Sequence, residues 1–496
     1  MTHKPRTWPI AAAAGGLPIA ISIFAACCGH LAGALLQPEA KASIPPAPTP
    51  ATDPDPIVAS PAAPTPVAEP VEGITRDGVS LTTRLDRSAV LASGDGLVRM
   101  QVDIQDLHEA VAGSRHATDL MVVLDESGSM GGQKIEDARA AARGLLALLG
   151  PEDRFALVSF DSDAQVRIPL GWATAEAREG WLTSIAAIEA SGSTQMQAGL
   201  ALGTEQLRVE PGRAARTILI SDGQPDTRDG LDTQARGFAH REVPLTTVGI
   251  GADYDERLLA SLADAGTGNF YWVQAHDDLA AVFSRELSTA QDTVASGLRV
   301  GLDLGPGVGV LEASGYPVSV AGSRATFDVG SLYAGQHRSF WVTLRVPVGV
   351  EGSREVAAAS LSWSAPDTGL ASVALPAERV VVVADNAAFL ASVDQDAWGQ
   401  AVVQEEYSVL QRTVSRAVSA GDALGAQQAI AAYRARNEEL NEAVQSAAVR
   451  DNLATLGSLE ADVQQQFKGA DQAQRQNLFS KTLNSLSYQG RRSGQY

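Results

Sequence analysis

The segment Asp125-Glu126-Ser127-Gly128-Ser129-Met130 places a carboxylate and two hydroxyls at alternate positions. Oxygen ligands at i, i+2 and i+4 in a tight turn can converge on one point, and Gly128 permits the backbone path that bulkier residues hinder. Two further stretches carry the same chemistry: Gly192-Ser193-Thr194 offers a hydroxyl, and Ser221-Asp222-Gly223-Gln224-Pro225 offers a second carboxylate. The set Asp125, Ser127, Ser129, Thr194 and Asp222 contains oxygen donors only, with no Cys or His. Such a set suits a hard cation, Mg²⁺ first and Ca²⁺ or Mn²⁺ less specifically. Taken alone, Asp125-x-Ser127 reads equally as a helix N-cap, since Asp and Ser are favoured there.

These three stretches act together only if the fold brings them to one edge. Leu120-Met121-Val122-Val123-Leu124 is a continuous apolar run, as expected of a parallel strand buried on both faces. Around it strands alternate with amphipathic helices: a helix near Lys134–Leu149, a strand at Phe155–Phe160 and a short edge strand at Gln165–Ile168. Helices near Ala175–Ile188 and Gln197–Arg208 follow, then strands at Thr217–Ile220 and Leu245–Ile250. That alternation predicts an α/β domain over residues 117–291, with a doubly wound, mostly parallel Rossmann-like sheet. Ligand crevices in open sheets of this kind form at the carboxyl ends of the strands, where all three loops fall.

The rest of the chain divides by composition. Lys4 and Arg6 precede an apolar run from about Ile10 to Leu36, long enough for the roughly 20 helical residues that cross a bilayer. Residues 1–36 read as a signal-anchor with the remainder outside the cytoplasm. A signal cleaved near Ala40-Lys41-Ala42 and lipidation of Cys27 after Phe24-Ala25-Ala26 are the alternatives, and all three export the chain. Residues 37–72 are rich in Pro and Ala and read as an extended stalk. Period-two patterning in residues 73–116, as in Leu97-Val98-Arg99-Met100-Gln101-Val102, predicts strands. Residues 292–385 carry β-branched and aromatic runs between Gly/Pro turns and predict a β-sandwich, which the strands of 73–116 could complete. Residues 386–496 are helical by pattern, predicting a hairpin or small bundle. Apolar stripes fall at Val403, Tyr407, Leu410 and Val414, and at Leu456, Leu459, Val463 and Phe467.

Asp-x-Ser-x-Ser, then a Thr, then an Asp after an apolar strand resembles the metal-ion-dependent adhesion site of von Willebrand factor A domains. The resemblance covers about 170 residues and all five positions. It implies that Ser127 and Ser129 bind metal directly, that Thr194 does so in the ligand-engaged state, and that Asp125 and Asp222 act partly through water. It further implies that an acidic residue of a protein partner completes the shell, so that the expected role is cation-dependent adhesion. In wider layout the chain resembles bacterial membrane-anchored relatives of calcium-activated chloride channel regulators and inter-alpha-trypsin inhibitor heavy chains.

Composition narrows the field. A net charge of −20 and the absence of a basic cluster argue against nucleic acid as a partner. Cys27 and Cys28 are the only cysteines, so no disulfide, zinc-thiolate or thiol-nucleophile chemistry is available beyond the N-terminal segment. No HExxH or GxSxG motif occurs, and the expectation is a protein that is not an enzyme. Glu126, Asp163 and Asp226 read as solvated loop charges, with Asp226 a candidate for the rim of the site. His240 and His276 read as surface residues, and Trp272 and Trp341 as core. A second reading makes the metal structural, in an accessory or scaffold subunit of a membrane or enzyme complex.

Overall fold

The computed structural model describes residues 73–491, apart from 109–115, 208–209, 211, 223, 252–253, 274–275 and 366–368. The expected signal-anchor and stalk, residues 1–72, lie outside the described residues. The chain opens with β1 (Ile74–Arg76), β2 (Val79–Leu85), β3 (Ala89–Leu91) and β4 (Leu97–Asp106). It continues through β5 (Thr118–Asp125), α1 (Gln133–Leu148), β6 (Arg154–Phe160), β7 (Ala164–Trp172), α2 (Ala175–Ala186) and α3 (Met196–Gln206). Then come β8 (Ala214–Ser221), α4 (Leu231–His240), β9 (Leu245–Ile250), α5 (Glu256–Ala265), β10 (Thr267–Val273) and α6 (His276–Gln291).

Strands β5 to β10 form one six-stranded sheet in the order β10-β9-β8-β5-β6-β7. Every neighbouring pair is parallel except β6–β7, where β7 runs antiparallel at the edge. That edge strand is longer than the Gln165–Ile168 read from the sequence. β5 is buried at every position because helices cover both faces. Leu120, Val122 and Leu124 pack with Ile135, Leu145 and Phe283, while Met121 and Val123 pack with Leu200, Phe238 and Leu259 on the other side. Burying such a side chain contributes roughly 1.5–3 kcal/mol, so this strand anchors the domain and fixes where Asp125 emerges. Helix α3 lies unusually close to the sheet. A Cβ at Gly199 would fall 2.4 Å from Phe160 Cδ1, and one at Gly203 would fall 2.9 Å from Val123 Cγ2.

The remaining strands are β11 (Thr293–Leu304), β12 (Gly309–Ala313), β13 (Ser319–Ala321), β14 (Arg324–Tyr333), β15 (His337–Arg345), β16 (Gly352–Ala365) and β17 (Gly369–Val383). Together with β1 to β4 they make two sheets, β1-β2-β4-β15-β12 and β13-β14-β11-β16-β17-β3. One core joins them, with Val98, Met100 and Phe340 from the first against Val300, Phe327 and Val356 from the second. The two sheets therefore form a sandwich, and the α/β domain is inserted between its strands β4 and β11. Trp341 is buried, whereas Trp272 is only half-buried and donates its indole N–H to the Gly251 carbonyl at 2.6 Å.

The C-terminal part comprises α7 (Asn386–Ala391), α8 (Gln395–Ala401), a π-helical turn at Val402–Glu406, α9 (Tyr407–Ser419), α10 (Ala423–Val444), α11 (Ala447–Gln466) and α12 (Gln472–Arg491). Its core includes Trp398, Val402, Leu410, Val414, Ile430, Leu456 and Val463. Val402 takes the core place expected for Val403. The wider π turn shifts the preceding register relative to a regular 3.6-residue period. Helix α12 also reaches the α/β domain: Tyr488 meets Phe270 edge-on at 5.6 Å, and buried Lys481 donates to the Tyr254 carbonyl at 2.8 Å. Among the described residues no helix is long and apolar enough to cross a membrane. The mostly parallel α/β domain with a β-sandwich and C-terminal helices is the expected fold class.

Candidate metal centre

β5 delivers Asp125 to the carboxyl edge of the sheet, and the chain then turns sharply. Ser127 N–H donates to Asp125 Oδ1 at 2.9 Å, and Met130 N–H closes a 3₁₀ turn onto the Ser127 carbonyl at 2.9 Å. Buried Met130 pins this turn into the core. Neither Ser127 nor Asp125 caps a helix with its side chain: Gly132 is the N-cap of α1, and Ser127 makes no side-chain cap bond. The N-cap interpretation of Asp125-x-Ser127 is thereby set aside. The two serine hydroxyls instead face each other, with 3.1 Å between their oxygens.

The Asp222 loop arrives from β8, the parallel neighbour of β5. Ser129 Oγ donates to Asp222 Oδ1 at 2.7 Å, and Ser221 Oγ donates to Asp125 Oδ2 at 2.5 Å. Ser127, Ser129 and Asp222 thus form a continuous run of oxygens. Lys134, in the first turn of α1, pairs with Asp222 Oδ2 and donates to the Ser129 carbonyl at 3.2 Å.

The Thr194 loop is stitched to the same turn through the backbone. Ser191 N–H donates to the Glu126 carbonyl at 2.7 Å, and Gly128 N–H donates to the Gly192 carbonyl at 3.2 Å. Gly192 takes a left-handed conformation (φ +69°) that favours glycine. Asp226 organises the loop from outside: its Oδ1 accepts from Thr194 N–H at 3.3 Å and its Oδ2 from Gln195 Nε2 at 3.0 Å. Thr194 is buried, but among the described residues no hydrogen bond joins its hydroxyl to Ser127 or Ser129. The structure therefore links Ser127 to Ser129 and Ser129 to Asp222, ties Asp125 to them through Ser127 and Ser221, and holds Thr194 alongside by its main chain.

The electrostatics single out Asp125 among the acidic groups of the site. Burial pushes the Asp125 carboxyl up to about 6, and the Asp222 charge adds to the rise against the bonds from Ser127 and Ser221. Glu126 departs from the expected solvated loop charge. It is buried, one oxygen accepts from Arg167 at 2.6 Å, and the other is buried without a hydrogen-bond partner. Asp161 is also part of the frame. Its carboxyl lies below the usual range because the amides of Asp163 and Ser162 and the Ser191 hydroxyl outweigh its burial. Lys134, Ser221 and the pairing of Glu126 with Arg167 had no signature in the sequence, since each depends on a partner in another element.

The donor chemistry fits a small hard cation. Adjacent ligands of octahedral Mg²⁺ at 2.0–2.1 Å lie about 3 Å apart, close to the 3.1 and 2.7 Å between successive oxygens of Ser127, Ser129 and Asp222. Among the described residues no three His, Cys, Asp or Glu side chains gather as metal ligands. Any ion held here must therefore lean on hydroxyls. That favours oxygen-seeking cations over soft ones.

The family profile of the von Willebrand factor type A domain matches residues 119–285, the segment that contains this sheet and all three loops. The chain carries a von Willebrand factor type A domain. In solved structures, a von Willebrand factor type A protein from Catenulispora acidiphila superposes with a TM-score of 0.64 at 16% identity, covering 84% of this chain and 98% of that one. The likeness extends well beyond the domain, so its fold matches the sandwich and helices as well. Uncharacterized protein sll0103 of Synechocystis sp. is 26% identical over 192 residues, covering 38% of this chain and 45% of its own. Human inter-alpha-trypsin inhibitor heavy chain H4 is 30% identical over 156 residues, covering 29% of this chain and 17% of its own. The matched region spans less than half the length of these two relatives.

Proposed function

We propose that this chain is an extracytoplasmic, membrane-tethered interaction protein that grips an acidic residue of a protein partner through a divalent cation, Mg²⁺ first. A von Willebrand factor type A domain implies an interaction role. The observation that carries the finer reading is the contact run Ser127–Ser129–Asp222 at the open edge of the sheet. Ser127 and Ser129 would bind the ion directly, Asp125 and Asp222 would balance its charge, and Thr194 would join when a partner engages. The bound ion would supply a Lewis-acidic position for one carboxylate oxygen of the partner. Buried Met130 and the two backbone bonds to the Thr194 loop hold the donors in place, so little ordering cost falls on binding. The export and tether rest on Lys4, Arg6 and the apolar run to Leu36.

Isothermal titration of the purified chain with Mg²⁺ or Mn²⁺ should show saturable binding that Asp125→Ala abolishes. A parallel capture from membrane extract should recover a partner in Mg²⁺ but not in EDTA. Full ion affinity in Asp125→Ala would remove the site from these residues. A second reading, a scaffold subunit with a structural metal, is favoured by how firmly the domain is built into its frame: Arg216 reaches Tyr333 of the sandwich at 2.7 Å, and α12 docks through Tyr488 and Lys481. Partner capture indifferent to EDTA, alongside a large loss of thermal stability in EDTA, would select that reading.

A further inference from the structure

Lys134 stands where elementary electrostatics disfavours it. It occupies the first turn of α1, where the helix dipole is positive and a cation is unfavourable. Its partners explain the placement. Its ammonium pairs with Asp222 Oδ2 and donates to the Ser129 carbonyl, reaching the acceptor side of the same residues that offer Asp222 Oδ1 and the Ser129 hydroxyl. Its route is confined: it passes beside Gly251, where a Cβ would lie 3.2 Å from Lys134 Cε. Asp222 has no exposed side-chain surface, so this ammonium is the one positive group in contact with it among the described ion pairs. The lysine side chain keeps 30% of its surface exposed, which leaves it a way out to solvent.

We propose that Lys134 is a tethered competitor of the divalent ion, neutralising Asp222 in the ion-free protein and withdrawing toward the rim as the ion binds. The inference rests on the metal reading above and adds its regulation. A single lysine charge compensates part of what a dication compensates fully, so the two exclude each other for electrostatic reasons as well as for space. Ion affinity is then set below what the oxygen donors alone would give. The displaced ammonium also adds a positive charge next to Asp125, Asp222 and the dication, which favours an anionic group of the partner over a neutral amide.

The competition predicts opposite signs in two measurements on the same variant. Lys134→Met keeps the aliphatic length and removes the charge. In isothermal titration of the full chain with Mn²⁺, this variant should bind about tenfold tighter than the parent, while Lys134→Arg stays within about threefold of it. In EDTA, the Lys134→Met unfolding midpoint should be lower by about 2 °C, because Asp222 loses its counter-charge. A lysine that only braced the loop would lower both stability and affinity. Equal or weaker Mn²⁺ binding by a folded Lys134→Met therefore overturns the proposal. If neither parent nor variant binds any ion, the metal reading fails and this proposal fails with it.

Discussion

Two buried carboxylates in the same domain are handled in opposite ways. Glu286, on α6, has no exposed surface and is answered completely. Its Oε2 accepts from Arg216 and the Thr246 hydroxyl at 2.7 Å each, and its Oε1 from Asn269 at 2.8 Å and Tyr271 at 2.9 Å. Although burial works against it, that set holds the Glu286 carboxyl below its ordinary range. Asp125 is equally buried, yet it receives only hydroxyls and an amide, and its carboxyl rises to about 6. The first arrangement is a closed structural joint. Among the described ion pairs the second has no positive partner of its own, which is the arrangement the proposed divalent ion would complete.

The sharpest test of this contrast is to break the closed joint. Arg216→Met strands Glu286 as a lone buried charge, and its chemical unfolding free energy should fall by about 3–5 kcal/mol. Its divalent affinity should stay that of the parent, and a coupled loss would join the two regions. Glu405 offers an intermediate case. It is buried in the π turn and accepts one hydroxyl, from Ser314 at 3.0 Å. Burial and the nearby Glu312 raise it to about 7, with Arg412 and Arg491 opposing. The folded state therefore holds this proton more tightly than the unfolded chain does. The penalty is nearly absent below about pH 4.5, grows as pH rises toward 7 and is complete above it, on the order of 3 kcal/mol. Glu405→Gln should be more stable than the parent at pH 8 and equal to it at pH 4.5, read by denaturant titration at both. The smallest effect should come from Asp125→Asn in EDTA. Because no cation partner is lost, its stability should remain within about 1 kcal/mol of the parent or rise, while Mn²⁺ binding disappears.

What could be read from the chain in advance follows the same division. The parallel sheet was legible because Leu120 to Leu124 form an unbroken apolar run, and the donor residues were legible because they sit at fixed offsets after such strands. Those signals are local. Glu126 shows where locality ends: between two candidate ligands it looks like a surface charge, and only Arg167, on edge strand β7 two places along the sheet, accounts for its burial. Lys134 is likewise one of many basic residues until α1 is laid against the Asp222 loop. The π turn was hidden for another reason. A single extra residue in a helix leaves the apolar period nearly intact, so Val402 and Val403 looked interchangeable.

The insertion of the domain into the sandwich has a mechanical consequence. The entering and departing strands of polypeptide meet at the edge remote from Asp222, where His116 N–H donates to the Gln291 carbonyl at 2.9 Å and Ala214 N–H to the Ala117 carbonyl at 3.0 Å. On the proposed reading, a pull applied through a bound partner would be divided between two covalent leads, into β4 and β11, instead of peeling one free end. Both leads run into central strands of the sandwich, so the load would be borne by ladders flanked on each side.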